Sequence, residues 1–216
     1  MKNHSAWPMW CVLAVTLLFT SVSMAQSQGE ESADSRWFTM DAINTGLGDV
    51  PEEAKRMSPR ETIRSFLNFT EEENYADAAH LLNLADIDPS EQATRGAELA
   101  KQLAEVLRRG EWLNASNLPG RQDAAIEDPS GQNPQAGQPR RNIELAALRV
   151  EGQAYDVRLG RYRVDEDDPV WLIMPESVSS IPTLYEEYGP SMLESYIPER
   201  FKSSFGVLKV WEWLAI

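Results

Sequence analysis

The stretch PVWLIMPESVSSIPTLYEEYG, Pro169 to Gly189, decides the fold. Val170, Trp171, Leu172, Ile173 and Met174 make a short apolar run, the length of a buried strand rather than of a helix. Ile181, Leu184, Tyr185 and Tyr188 then recur at helical spacing, so the next segment has one apolar face. A strand running straight into an amphipathic helix puts both kinds of element into one body.

Reading outward toward the N-terminus, Ile143 to Val164 has strand character. Tyr155, Val157, Leu159 and Tyr162 alternate with Asp156, Arg158, Gly160 and Arg161, the pattern of a half-buried strand. Glu151-Gly152 supplies a tight turn before it and Asp165 to Asp168 a second turn after it. These elements predict a small three-stranded antiparallel sheet. Leu118 to Arg141, rich in Pro, Gly, Gln and Asn, reads as a long exposed loop.

Further upstream the period changes. Asp88-Pro89-Ser90-Glu91 has the grammar of a helix start, Leu99, Leu103, Val106 and Leu107 make one apolar face, and Gly110 stands where a C-terminal cap belongs. The spacing predicts a helix from Pro89 to Arg109. Ser58-Pro59-Arg60-Glu61 has the same grammar, with Ile63, Phe66 and Leu67 behind it. Glu71-Glu72-Glu73-Asn74 breaks that helix, and Tyr75, Ala78, Ala79 and Leu82 form a second apolar stripe, giving an αα-hairpin. The fold class is therefore α+β, a helical layer of three or more helices packed with a small antiparallel sheet.

The two ends read differently. Lys2 and His4 precede an apolar stretch from Trp10 to Val22, closed by Ser23-Met24-Ala25, which is the pattern of a secretory signal peptide. Residues 1–25 are expected as that signal, cut between Ala25 and Gln26. Residues 26–57, polar, acidic and interrupted by Gly46 and Gly48, read as a flexible linker, with Trp37, Phe38, Met40 and Ile43 docking locally at most. Residues 58–199 make the α+β domain. Residues 200–216, with Phe205, Val207, Leu208, Val210, Trp211, Trp213, Leu214 and Ile216 around Lys209 and Glu212, are expected as the start of a truncated transmembrane helix, its tryptophans at the membrane boundary.

The charge excludes one class of partner. The chain carries 20 basic and 34 acidic residues, −14 in all. Lys2 is the only charged residue of the first 25, so cleavage leaves −15. Such a field repels phosphate backbones, and no nucleic-acid role is expected. Cys11 lies inside the expected signal, so the mature chain has no thiol and no disulfide.

No residue of the mature chain is assigned to catalysis, to a cofactor or to a metal, and no enzyme is expected. His80 is its single histidine and has no evident nucleophile or carboxylate partner. Asp165 to Asp168 lacks the spaced ligands and central glycine of a calcium loop and reads as a solvated turn, as does Glu71 to Glu73. The sequons at Asn68 and Asn114 are discounted, because the first lies within a helix and the address looks bacterial. Trp112 and Trp171 read as core anchors.

Several of these segments together resemble one family. They are Ser58-Pro59-Arg60-Glu61-Thr62 with Phe66-Leu67, Tyr75 through Ala78-Ala79 to Leu82, and Leu99 to Leu103 through Val106-Leu107 to Trp112-Leu113. They continue with Val170-Trp171-Leu172, Ile181-Pro182 with Leu184-Tyr185 and Tyr188-Gly189, and Trp211 to Ala215. In order and spacing, Ser58 to Ile216 is similar to the periplasmic domain that precedes the channel in some members of the small-conductance mechanosensitive ion channel family. The resemblance implies an extracytoplasmic accessory domain that does not conduct by itself, a bacterial inner-membrane address with the folded part in the periplasm, and a homo-oligomer in the full-length relative. The C-terminal segment would meet the membrane, and the pore helix of the family has no position in this sequence. The alternative left open is a free-standing or tethered periplasmic binding module.

Overall fold

The computed structural model describes residues 36–109, 113, 115–128 and 130–190, together with the backbone of 204–205 and 208–209. The expected signal peptide at 1–25 lies outside the described residues, and every described element belongs to the unit from Asp34 to Ile216.

Helix α1 (Pro59–Glu71) begins where the cap residues place it. The Ser58 hydroxyl accepts the Glu61 amide at 3.3 Å and lies 3.1 Å from the Glu61 carboxylate, satisfying an end the helix itself leaves open. Its close is equally local. Asn74 N–H reaches Phe69 O at 2.8 Å and Glu73 N–H reaches Thr70 O at 3.3 Å, with Glu73 in the left-handed region at φ 56°. This is the Schellman arrangement, here with a glutamate where glycine is commonest. Asn74 then caps α2 (Tyr75–Ala78), which tightens into a 3-10 turn over Ala79–Leu81. Helix α3 (Pro89–Arg109) has the expected bounds and buries Leu99, Leu103, Val106 and Leu107. Gly96 lets it lie close, since a Cβ there would meet the Ala79 Cβ at 3.1 Å.

Strands β2 (Asn142–Val150) and β3 (Gln153–Val164) form a hairpin whose two turn residues, Glu151 and Gly152, have φ of 49° and 88°. That is the primed turn whose twist matches the strands. β4 (Val170–Ile173) pairs antiparallel with Leu159–Tyr162 of β3. The sheet differs from expectation in one respect: it is mixed and four-stranded. Strand β1 (Phe38–Met40) pairs parallel with Tyr162–Val164. Gly160 is flanked by Asn142 and Leu172, and Tyr162 by Phe38 and Val170, so β2 and β1 succeed each other on one side of β3 and β4 holds the other.

Helix α4 (Pro175–Tyr188) buries Val178, Ile181 and Leu184 and ends with the Tyr188 hydroxyl against both backbone groups of Arg149, at 3.3 and 2.6 Å. The helices and the sheet share one core. Trp171 sits fully buried in it, with its ring N–H on Gln122 O at 2.8 Å.

The described part of the expected linker, 36–57, is built into this body. Beyond β1, Arg56 O accepts the Trp171 amide at 2.8 Å, and the Ser65 hydroxyl joins Lys55 N and Glu53 O at 3.0 Å each. The buried Asn44 side chain bonds Leu82 O and Leu84 N at 2.7 and 2.9 Å, and Gln92 of α3 accepts Gly46 N at 2.8 Å. Few apolar residues hold this segment. Polar side chains from α1, α3 and the segment itself fix it instead, which is why it lacks hydrophobic period.

Of the expected membrane segment, 200–216, the described backbone is a short antiparallel pairing of β5 (Ser204–Phe205) with β6 (Leu208–Lys209). The rest of it lies outside the described residues. Among these, no helix is long and apolar enough to cross a membrane.

Candidate functional site

β3 is much longer than β4, and that mismatch creates a recess in the described surface. β4 stops covering β3 at Leu159. Before that point no strand among the described residues lies on this side, and the first turn of α4 approaches instead. Its Ser177 hydroxyl accepts the Arg158 amide at 2.9 Å and donates to Asp156 O at 3.0 Å, as a neighbouring strand would do with its backbone. Met174 N–H adds a bond to Arg158 O at 2.9 Å. Beyond Ser177 the space between strand and helix opens into a cavity of about 400 Å³, bordered by Ala154, Asp156, Arg158, Glu176 and Ser180.

Two carboxylates and one guanidinium border this cavity. Arg158 is engaged only loosely, its nearest acid being Glu144 at 3.9 Å, and its Nε is buried with no hydrogen-bond partner. The Ser180 hydroxyl donates to Ser177 O at 2.7 Å, so it belongs to the helix. Nothing in the recess pairs a nucleophile with a base. What it offers is backbone, two hydroxyls and negative charge.

The opposite end of β3 is arginine-rich. Arg161 and Arg163 lie over the Trp37 ring at 5.7 and 5.0 Å, and Arg141 over Phe38 at 4.3 Å. Arg161 is almost wholly buried, and that burial pulls its pKa down while Asp123 acts the other way. Two hydrogen bonds from Arg121 hold the Asp123 carboxyl near 2. These cations are spent on aromatic faces and one acid, a packing role. A second cavity, about 250 Å³ and mainly apolar, lies between α3 and α4, where Leu84, Leu99, Val178 and Pro182 meet.

The structure describes most of the residues weighed from sequence. His80 is buried in the 3-10 turn after α2, its pKa lowered first by burial and then by Arg56, against the pull of Asp77. Asp165 to Asp168 form an exposed turn closed by Asp167 N–H on Val164 O at 3.0 Å, and Glu71 to Glu73 are exposed at the end of α1. Among the described residues no group of three or more acidic, histidine or cysteine side chains converges for a metal. Trp171 is a core anchor; Trp112 and the sequon at Asn114 lie outside the described residues. Asn68 is exposed on α1, with Thr70 turned back onto Leu67 O at 3.0 Å. Sequence reasoning misses the recess itself, although one signal is present: an alternating run from Tyr155 to Tyr162 facing an apolar run too short to cover it.

No family model matches the chain, nor does any curated protein or solved structure.

Proposed function

We propose that this chain is the extracytoplasmic part of a bacterial inner-membrane protein of the small-conductance mechanosensitive channel type, with an accessory or regulatory role and no conduction of its own. One observation carries the reading: the order along the chain. An apolar stretch with a basic start comes first, an α+β body follows, and a Trp-bearing apolar stretch comes last, and the segments between them resemble that family's periplasmic domain in their order. A body so placed acts on a channel only by touching its closed and open arrangements differently.

Four measurements test this. Mass spectrometry of the mature chain should give an N-terminus at Gln26, and a reporter active only outside the cytoplasm, fused after Pro190, should be active. The DNA beyond codon 216 should encode further apolar helices. In the complete channel, removing 36–190 should shift the membrane tension of opening. An inactive reporter defeats the address, and an unchanged opening tension defeats the regulatory role.

A second reading, a periplasmic binding module, is favoured by the recess beside β3. The two readings are compatible, because a binding event there is one way to bias a channel.

A further inference from the structure

We infer that the open half of β3 receives a short extended peptide carrying basic side chains, added to the sheet as one more strand beside α4. The backbone of β3 supplies the template. Along a strand, the polar groups of successive residues turn to opposite edges. Asp156 O and Arg158 N–H face α4, as their bonds to Ser177 show. Ala154 N–H and C=O and Asp156 N–H therefore face the same way. Ala154 and Asp156 are exposed, and no described residue bonds those groups. An edge that no described residue pairs is a template for another strand, and proteins usually blunt such an edge with lysine or proline. Gln153 to Asp156 contains neither. Ser177 already stands in for one residue of the missing strand, and the cavity of about 400 Å³ gives the rest its room.

Charge selects the occupant. Asp156 and Glu176 border the cavity against Arg158 alone, and Arg158 leans toward Glu144. The chain as a whole is at −14, so a basic peptide is drawn in and an acidic one repelled. A second copy of the chain is the poorer guest, because antiparallel pairing of two such edges brings like charges face to face. Strand addition supplies affinity through main-chain bonds and selectivity through alternate side chains.

The test is titration of the full chain with an acetylated and amidated Lys-Val-Lys-Val-Lys peptide, followed by calorimetry and by hydrogen exchange at Ala154 and Asp156. The expected result is binding that weakens with salt and slows exchange at both amides. The Glu-Val-Glu-Val-Glu peptide, and a Lys peptide N-methylated on its bonding edge, should each bind about tenfold more weakly or not at all, as befits the loss of two backbone bonds or of the charge match. Ala154→Pro removes the outward amide without touching the bonds to β2, a position where an edge strand tolerates proline. It should abolish binding while circular dichroism stays unchanged. If that variant misfolds, Asp156→Asn with Glu176→Gln serves instead and should remove most of the salt dependence. No binding, equal binding of the N-methylated peptide, or undiminished binding by a folded Ala154→Pro overturns the inference. So does a doubling of mass in light scattering that Ala154→Pro abolishes, since the edge would then belong to a second copy.

Discussion

Asn44 does at the level of one side chain what a strand would do along its length. It is buried, it holds φ at 47°, and its amide group both donates to Leu82 O and accepts from Leu84 N. Asparagine is among the few residues that enter the left-handed region readily, because its short polar side chain bonds locally. Gln92 does the same from α3, donating to Leu84 O and Ile87 O at 3.0 and 3.1 Å while accepting from Gly46. The bend from Leu82 to Ile87 thus has backbone groups satisfied by two side-chain amides, one distant in sequence and one from the start of the next helix. Asn44→Ala strips one N–H and one C=O of their partners inside the core, and each such orphan costs about 1–3 kcal/mol. The expected loss is about 2–4 kcal/mol, read as a lower urea midpoint with an unchanged slope. A midpoint equal to that of the parent would show that water replaces the amide and that Asn44 is not a pin.

At the scale of elements, the segment 36–57 shows why some of the fold was legible in the sequence and some was not. Helices α1 and α3 and the β2–β3 hairpin are announced by neighbours: a serine with a glutamate three residues on, an aspartate before Pro89, and Glu151-Gly152 between alternating runs. Such chemistry is local, so reading it needs no knowledge of the fold. β1 has three residues, no period of its own and a partner near the far end of the sheet, so nothing nearby marks it as a strand. The recess beside β3 was hidden for a related reason. It depends on where β4 stops and on a serine of α4 reaching across, and both are facts of assembly. Deleting 36–57 tests the structural weight of the segment. It removes β1, the Asn44 and Gly46 contacts, the bonds to Ser65 and the Arg56 carbonyl on Trp171. With each hydrogen bond at about 1 kcal/mol net, the loss should be at least about 4 kcal/mol, enough to bring a typical domain near unfolding at room temperature. A shortened chain that melts cooperatively at the parent temperature would restore the flexible linker that composition suggested.

For the whole molecule, pH offers a window in which one group can be watched against a nearly constant background. The chain carries 34 carboxylates and an isoelectric point near 4.6, so its self-repulsion changes chiefly as those acids titrate, well below neutrality. Between about pH 8 and pH 5.5 the side chain among the described residues whose ordinary pKa falls in the window is His80. Burial holds its pKa below 6.5, Arg56 pushes in the same direction, and Asp77 opposes both. The unfolded chain therefore binds the proton more readily than the folded one. The stability tied to a neutral His80 is complete above about pH 6.5 and is lost as pH falls through that value toward the folded pKa. Stability should accordingly decline on acidification from pH 8 to 5.5, and His80→Asn, which stays neutral, should flatten the decline. The slope is the readout, so any constant penalty of the substitution does not confuse it. In an extracytoplasmic setting this would make the body sensitive to external acid, through a ring buried in the 3-10 turn after α2. Denaturant midpoints measured across the window decide the matter: a slope that survives in His80→Asn, or a body that grows more stable as it is acidified, assigns the linkage to another group.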